Sequence, residues 1–294
     1  MPDAAFALTL IAAPGSAEVL REAAARVQVI APGEPTWLAE GEALDIAFVR
    51  SEPLDALRRA ALDAVAGLPV DAVIQPAAGR RKRLLVADMD STVIEQECID
   101  EMAALMGAGA QVAAITERAM RGELDFEAAL AARLKMLRGF GPEHVEAVLA
   151  RVTLTPGAET LAATMRANGG ACVLVSGGFT AFTAPVAARV GFDAHHGNTL
   201  IFHTEGLEVA RPILGREAKA GWLAREAAAR GLTLAETMAV GDGANDLAML
   251  GAAGLGVAFR AKPAVAEAAD VSIARGDLTA LLYLQGYRRQ DFAQ

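Results

Sequence analysis

The chain has 294 residues, 53% hydrophobic and 21% charged, which excludes a disordered protein and allows one large domain with a smaller companion. A net charge of −9 and an isoelectric point near 5.1 exclude the broad basic surface that general nucleic-acid binding needs. The two cysteines, Cys98 and Cys172, lie far apart without CxxC spacing, which excludes a disulfide scaffold and a cysteine zinc site and points to a reducing compartment.

Met1 to Ala13 carries an apolar run, but no Lys or Arg precedes it and Asp3 does, so it is read as a strand over Ala5–Ala13 rather than a signal segment. After Pro14-Gly15, a helix is expected from Ser16, as N-cap, to Val27. Strands follow at Thr36–Glu40 and Leu44–Arg50, then a helix from Glu52-Pro53 to Gly67 and a strand at Asp71–Gln75. That β-α-β-β-α-β order over residues 1–78 is the ferredoxin-like pattern, with a boundary at Ala77-Ala78-Gly79. The basic cluster Arg80-Arg81-Lys82-Arg83 is read as the solvated approach to the next strand.

From there the pattern changes. Leu84–Ala87 is a short, wholly apolar run of the kind buried on both faces of a parallel sheet. Similar runs occur at Ala171–Val175, Thr237–Val240, Leu255–Val257 and Asp270–Ile273, with helical stretches between them. The expected fold is α/β, a doubly wound parallel sheet. A helical insertion at about 93–154 follows the first strand as a cap, with Phe126, Leu130 and Arg133 on one helix face. His195-His196 is read as a polar turn before a hairpin at Asn198–Ala210. No run is long and apolar enough, about 18 residues, to span a bilayer. A soluble, cytoplasmic protein without membrane or nucleic-acid partners is expected.

Asp88-Met89-Asp90-Ser91-Thr92 comes directly after the first buried strand. Read as alternation along an extended chain, Asp88 and Asp90 are expected on different sides of the backbone. One carboxylate could then attack phosphorus while the other handles the leaving group's proton. A calcium loop from Asp88 would need Gly at its sixth position and Glu at its twelfth, where Val93 and Ile99 stand. A surface turn would not normally follow four apolar residues. Gly241-Asp242-Gly243-Ala244-Asn245-Asp246 also ends an apolar run; an acid at its sixth position repels a pyrophosphate, and Asp242 with Asp88 suits Mg²⁺. Ser176-Gly177-Gly178-Phe179-Thr180 offers a hydroxyl and backbone N–H groups to an anion, although an ordinary strand-to-helix turn reads equally well. Leu174 removes the G-x-S-x-G alternative in which Ser176 is the nucleophile. Lys219 could balance carboxylate and phosphate charge or be a solvated surface group.

These motifs, in this order, resemble the haloacid dehalogenase superfamily. The stretch Asp88 to Glu97 resembles that superfamily's phosphoserine phosphatase branch. The resemblance covers roughly residues 83–290, and residues 1–78 resemble the ACT-like unit that precedes many bacterial members. It implies Mg²⁺-dependent hydrolysis of O-phosphoserine, the last step of serine biosynthesis, through an aspartyl-phosphate on Asp88. It implies Asp90 as acid and base, Mg²⁺ on Asp88, Asp242 and the Asp90 carbonyl, and phosphoryl contacts from Ser176, Gly177 and Lys219. Asn245 would contact substrate and Asp246 would orient Lys219 or a metal-bound water. Glu97 would meet the substrate ammonium and Arg133 its carboxylate, with Phe126 closing over them. The alternative to these roles is an exposed acid in an acidic helix for Glu97 and a snorkelling surface residue for Arg133. The lead-in Leu214 to Ala218 departs from the family's pattern before the lysine. A homodimer is the assembly such N-terminal units allow. A phosphatase for another small phosphomonoester, a catalytically silent amino-acid sensor, and phosphotransfer to another alcohol rather than to water are the alternatives.

Overall fold

The computed structural model describes residues 3–121, 123–203 and 206–293. The N-terminal unit comprises β1 (Ala4–Ala12), α1 (Ala17–Val27), β2 (Pro35–Ala39), β3 (Ala43–Arg50), α2 (Leu54–Ala64) and β4 (Val70–Pro76). Its strands form an antiparallel sheet ordered β2-β3-β1-β4, the ferredoxin-like arrangement that the sequence predicts. Alternation along β1 sends Phe6, Leu8 and Leu10 toward α1 and α2, while Ile11 joins the core of the larger unit. Both faces of β1 are therefore covered, which is why it reads as an unbroken apolar run. Ser16 precedes α1 as expected, but its side chain makes no capping hydrogen bond.

The larger unit opens with β5 (Leu84–Ala87), followed by the cap helices α3 (Cys98–Leu105), α4 (Gly109–Met120), α5 (Phe126–Met136) and α6 (Pro142–Leu149). The chain continues through α7 (Ala158–Ala167), β6 (Ala171–Phe179), α8 (Thr180–Val190) and β7 (Ala194–Asn198). A hairpin of β8 (Leu200–His203) and β9 (Gly206–Val209) precedes α9 (Arg216–Ala229), β10 (Thr237–Gly241) and α10 (Leu247–Ala252). Residues 204 and 205 of that expected hairpin lie outside the described residues. The chain closes with β11 (Gly256–Phe259), α11 (Pro263–Ala268), β12 (Val271–Ile273) and α12 (Ala280–Leu284). A six-stranded parallel sheet runs β12-β11-β10-β5-β6-β7. Successive connections from β5 go first to β6 and β7 and then across to β10, so the strand order reverses at β5, where open α/β sheets hold ligands. No helix among the described residues is long and apolar enough to cross a membrane.

Two expectations are corrected. His195 and His196 do not form a turn; they lie on β7, the edge strand of the parallel sheet. Their polarity is accommodated because an edge strand is only half covered: Thr183 Oγ1 pairs with His195 Nδ1 at 2.9 Å, while His196 stacks on Trp222 and meets Glu226 at 2.6 Å. Nor is the basic cluster simply solvated. Arg80 is only 13% exposed at its side chain. Its guanidinium binds Asp45 (2.6 Å), Thr9 (3.0 Å) and the carbonyl of Leu284 (3.1 Å), joining the N-terminal sheet to the end of α12. Arg81 stacks over the Tyr287 ring at 3.7 Å. Arg80 thus fastens the N-terminal sheet to α12 of the larger unit, a tertiary use that a run of like charges does not announce.

Candidate active site

Strand β5 is buried throughout, and Asp88 follows its last residue at the centre of the sheet's C-terminal edge. The chain then turns tightly: Ser91 has φ of 54°, and Ile94 N–H returns to Met89 O at 3.0 Å. Asp88 and Asp90 do not fall on different sides of the backbone, and both border one cleft of about 590 Å³. Residues two apart along an extended chain share a face, so the alternation argument has the opposite sign from the one expected.

The cleft floor holds the densest charge. Lys219, on α9, is 1% exposed and lies 2.7 Å from Asp88 Oδ2 and 2.6 Å from Asp246 Oδ1. The departure in the lead-in to Lys219 does not displace it. Burial acts to lower the Lys219 pKa, but Asp88 and Asp246 outweigh it and hold the ammonium well above its usual value. Burial, reinforced by Asp88, raises Asp246, against the pull of Lys219 and the Gly243 N–H at 3.0 Å. Asp88, Asp242 and Asp246 each bring a carboxylate oxygen within 4.8 Å of the others, a donor set that could hold a hard cation. Asp242 is raised by burial and then by Asp88, which is the instability a cation at this place would relieve. Thr92, which sequence reasoning passed over, orients that group by donating from Oγ1 to Asp242 Oδ1 at 3.2 Å.

Asp90 is poised differently. Its Oδ1 accepts from the Cys98 N–H at 2.9 Å and its Oδ2 faces Ser176 Oγ at 3.4 Å. Burial first, with Asp88 adding to it, pushes its carboxyl up to about 6 against the Cys98 N–H, so it can carry a proton near neutral pH. Strand β6 runs on through Phe179, carrying Ser176, Gly177 and Gly178 along the cleft wall. A Cβ at Gly178 would stand 2.9 Å from Asp90 Oδ2 and 3.0 Å from Ser176 Oγ, so only glycine leaves this approach open. Asn198, also unforeseen, is buried at the end of β7 and ties two loops together. Its amide donates to Gly177 O at 2.8 Å, and its Oδ1 accepts from Leu214 N–H at 2.7 Å. Its only mark in the sequence is as the first residue of the expected hairpin, which gives no sign of this role.

The facing wall comes from the cap. Glu97, Phe126, Leu130 and Arg133 all border the cleft, as does Asn245 opposite them. The Phe126 ring lies over Gly177, 3.5 Å from where a Cβ would be. Glu97 sits exposed at the rim and accepts from Ser91 Oγ at 2.7 Å. Desolvation there, then Asp90, Asp242 and Asp88, raise its pKa. Burial lowers the Arg133 pKa, opposed by Asp100 and Glu97. Lys262, just before α11, completes the rim and was not foreseen.

The family model for haloacid dehalogenase-like hydrolases matches residues 85–251. The chain is 45% identical over 250 residues to a phosphoserine phosphatase of Streptomyces coelicolor, covering 84% of this chain and 60% of that protein's length. Among solved structures, a haloacid dehalogenase family hydrolase from Salmonella enterica superposes with a TM-score of 0.83 at 29% identity, covering 95% of this chain and 98% of that one. A phospho-aspartyl intermediate analogue of phosphoserine phosphatase superposes with a TM-score of 0.64 at 38% identity, covering 69% and 98%. With the carboxylates gathered at the end of the central strand and the match running through them, the chain belongs to the haloacid dehalogenase-like hydrolase family.

Proposed function

We propose that this hydrolase is a phosphoserine phosphatase that forms an aspartyl-phosphate on Asp88. The observation that carries the proposal is one cleft with Asp88, Asp90 and Asp242 on its floor and Glu97 and Arg133 on its wall. O-phosphoserine bears a phosphate, an ammonium and a carboxylate. The floor suits the first, Glu97 the second, and the planar guanidinium of Arg133 the third. The phosphoserine phosphatases among its relatives and structural neighbours support the same assignment.

In the first step an Asp88 oxygen bonds to phosphorus as the phosphorus–serine oxygen bond breaks, and Asp90 gives its proton to the departing serine oxygen. In the second, Asp90 takes a proton from water as that water attacks phosphorus, releasing phosphate and restoring the Asp88 carboxylate. Lys219 offsets the charge of Asp88 and of the phosphoryl oxygens. The Ser176 hydroxyl and the Gly177 backbone orient those oxygens, while Asn245 holds the substrate and Phe126 shields the site. Asp246 fixes Lys219. Asp88, Asp242 and the Asp90 backbone carbonyl would hold Mg²⁺, with Asp246 close enough to join or steady the set. A divalent cation there supplies neutralisation of charge on the transferring phosphoryl group.

A screen of Mg²⁺-dependent phosphate release over small phosphomonoesters tests this reading. O-Phospho-L-serine should give the highest kcat/KM. Equal rates on esters without amino and carboxyl groups would overturn the substrate assignment.

A further inference from the structure

Among the described residues only two non-glycine residues have positive φ, Ser91 and Arg260, and each lies within two residues of a side chain bordering the same cleft, Asp90 before Ser91 and Lys262 after Arg260. Ser91 belongs to the nucleophile's own turn. Arg260, with φ of 47°, comes immediately after β11, and two residues later Lys262 borders the cleft mouth. A left-handed arginine costs about 1 kcal/mol or more and persists only where its surroundings hold it.

Those surroundings lead back to the N-terminal unit. The Arg260 N–H donates to Ile273 O at 2.8 Å, and its guanidinium reaches Gly276 O at 3.3 Å. The same turn is gripped from the other side by Asp71 of β4. The buried Asp71 Oδ2 accepts from the N–H groups of Ala274 (3.0 Å) and Arg275 (2.8 Å). Ile11 of β1 presses on it as well: a Cβ at Gly276 would stand 3.2 Å from Ile11 Cγ2 and 3.0 Å from Ala280 Cβ. A continuous set of contacts therefore runs from β1 and β4 through residues 274–276 and Arg260 to the segment bearing Lys262.

The cleft gives Lys262 a task. Asp88, Asp90, Glu97 and Asp242 crowd it with acids, and Lys219 below is already taken by Asp88 and Asp246. Of the lining residues only Arg133 and Lys262 offer further positive charge. Lys262 forms no ion pair among the described residues. We infer that Lys262 is a binding residue for the anionic groups of the phosphomonoester, and that the N-terminal unit places it through Asp71, the 274–276 turn and Arg260. Asp71 and Arg260 are thus positioning residues. The inference rests on the phosphatase reading, which it deepens.

The test is steady-state hydrolysis of O-phospho-L-serine with Mg²⁺ by the full chain and four variants. Lys262→Met should raise KM about 5-fold, leave kcat within about 2-fold and flatten the rise of KM with ionic strength. Asp71→Ala should raise KM similarly and Asp71→Asn less, since one amide oxygen can still accept. The double variant Asp71→Ala/Lys262→Met should be no worse than Lys262→Met alone. Arg260→Gly, which tolerates the left-handed turn but frees it from Gly276, should reproduce the KM effect if Asp71→Ala does not fold. A wild-type KM in Lys262→Met, a wild-type KM in Arg260→Gly, or multiplying effects in the double variant would overturn the inference. Should the wild-type chain hydrolyse no phosphomonoester, the phosphatase reading itself falls. Calorimetric binding of inorganic phosphate with Mg²⁺ then carries the same comparison, with the same pattern expected in Kd and equal Kd values overturning it.

Discussion

The floor and the wall of the cleft are built on different principles. On the floor, Lys219 and Asp246 are 1% and 0% exposed, and Asp88 only 6%, with contacts of 2.6 to 2.7 Å on rigid strand ends and a long helix. On the wall, Phe126 is 38% exposed, Glu97 lies at the rim, and Arg133 belongs to a cap helix rather than to the sheet. Buried charges in fixed contact are arranged before any ligand arrives, whereas the exposed Glu97 and the half-buried Arg133 of the cap are cheaper to change. The floor suits a chemistry common to many substrates, and the wall suits a choice among them.

Substitutions on the two surfaces should therefore fail in different ways. The largest effect belongs to Asp88→Asn: turnover should fall on the order of 10⁴-fold or more while circular dichroism stays native, because the side chain keeps its volume. Lys219→Met comes next. It leaves Asp88 and Asp246 buried without their common partner, so in metal-free solution unfolding in denaturant should show a loss of about 3–5 kcal/mol, and kcat should fall on the order of 100-fold. On the wall, Arg133→Ala should raise KM for O-phosphoserine about 10- to 100-fold and leave it nearly unchanged for a phosphomonoester without a carboxylate. Equal losses on both substrates would break the distinction between floor and wall.

The smallest effect is a pH dependence of stability. Asp90, Asp242 and Asp246 all have folded-state pKa values above their usual range, so the folded protein binds protons more tightly than the unfolded chain. Their contribution is fully present below the ordinary carboxylate value of 3.8 and is lost as pH rises, for Asp90 through about 6. Metal-free protein should therefore lose a few degrees of Tm attributable to these groups between about pH 4 and 7. Asp90→Asn should show a shallower fall, and added Mg²⁺ should restore Tm at the upper end. An unchanged slope in Asp90→Asn would show that its carboxyl is not the group responsible.

The floor was legible in the sequence because its residues follow apolar strands directly. Asp88 and Asp242 stand just past a strand's end, Ser176 lies just beyond the stretch of β6 that pairs with β5, and parallel strands bring such places together. Arg133 and Phe126 could be placed on one helix face, but only the fold turns that face toward Gly177. What stayed hidden is tertiary. Asn198 acts through carbonyls and amides distant in sequence, and its neighbours His195 and His196 are polar enough to disguise an edge strand. Arg80 sits in a basic cluster yet serves as a largely covered clamp. Asp71 and Arg260 make backbone contacts that no side-chain pattern records.

The proposed mechanism depends on Asp88 becoming covalently phosphorylated. The direct measurement is an acid quench within one turnover of ³²P-labelled O-phosphoserine with Mg²⁺, followed by peptide mapping. Acid-stable, hydroxylamine-labile label on the peptide containing Asp88, absent from Asp88→Asn, is the predicted result. Phosphate release at the wild-type rate with no label on that peptide, or turnover persisting in Asp88→Asn, would contradict the account.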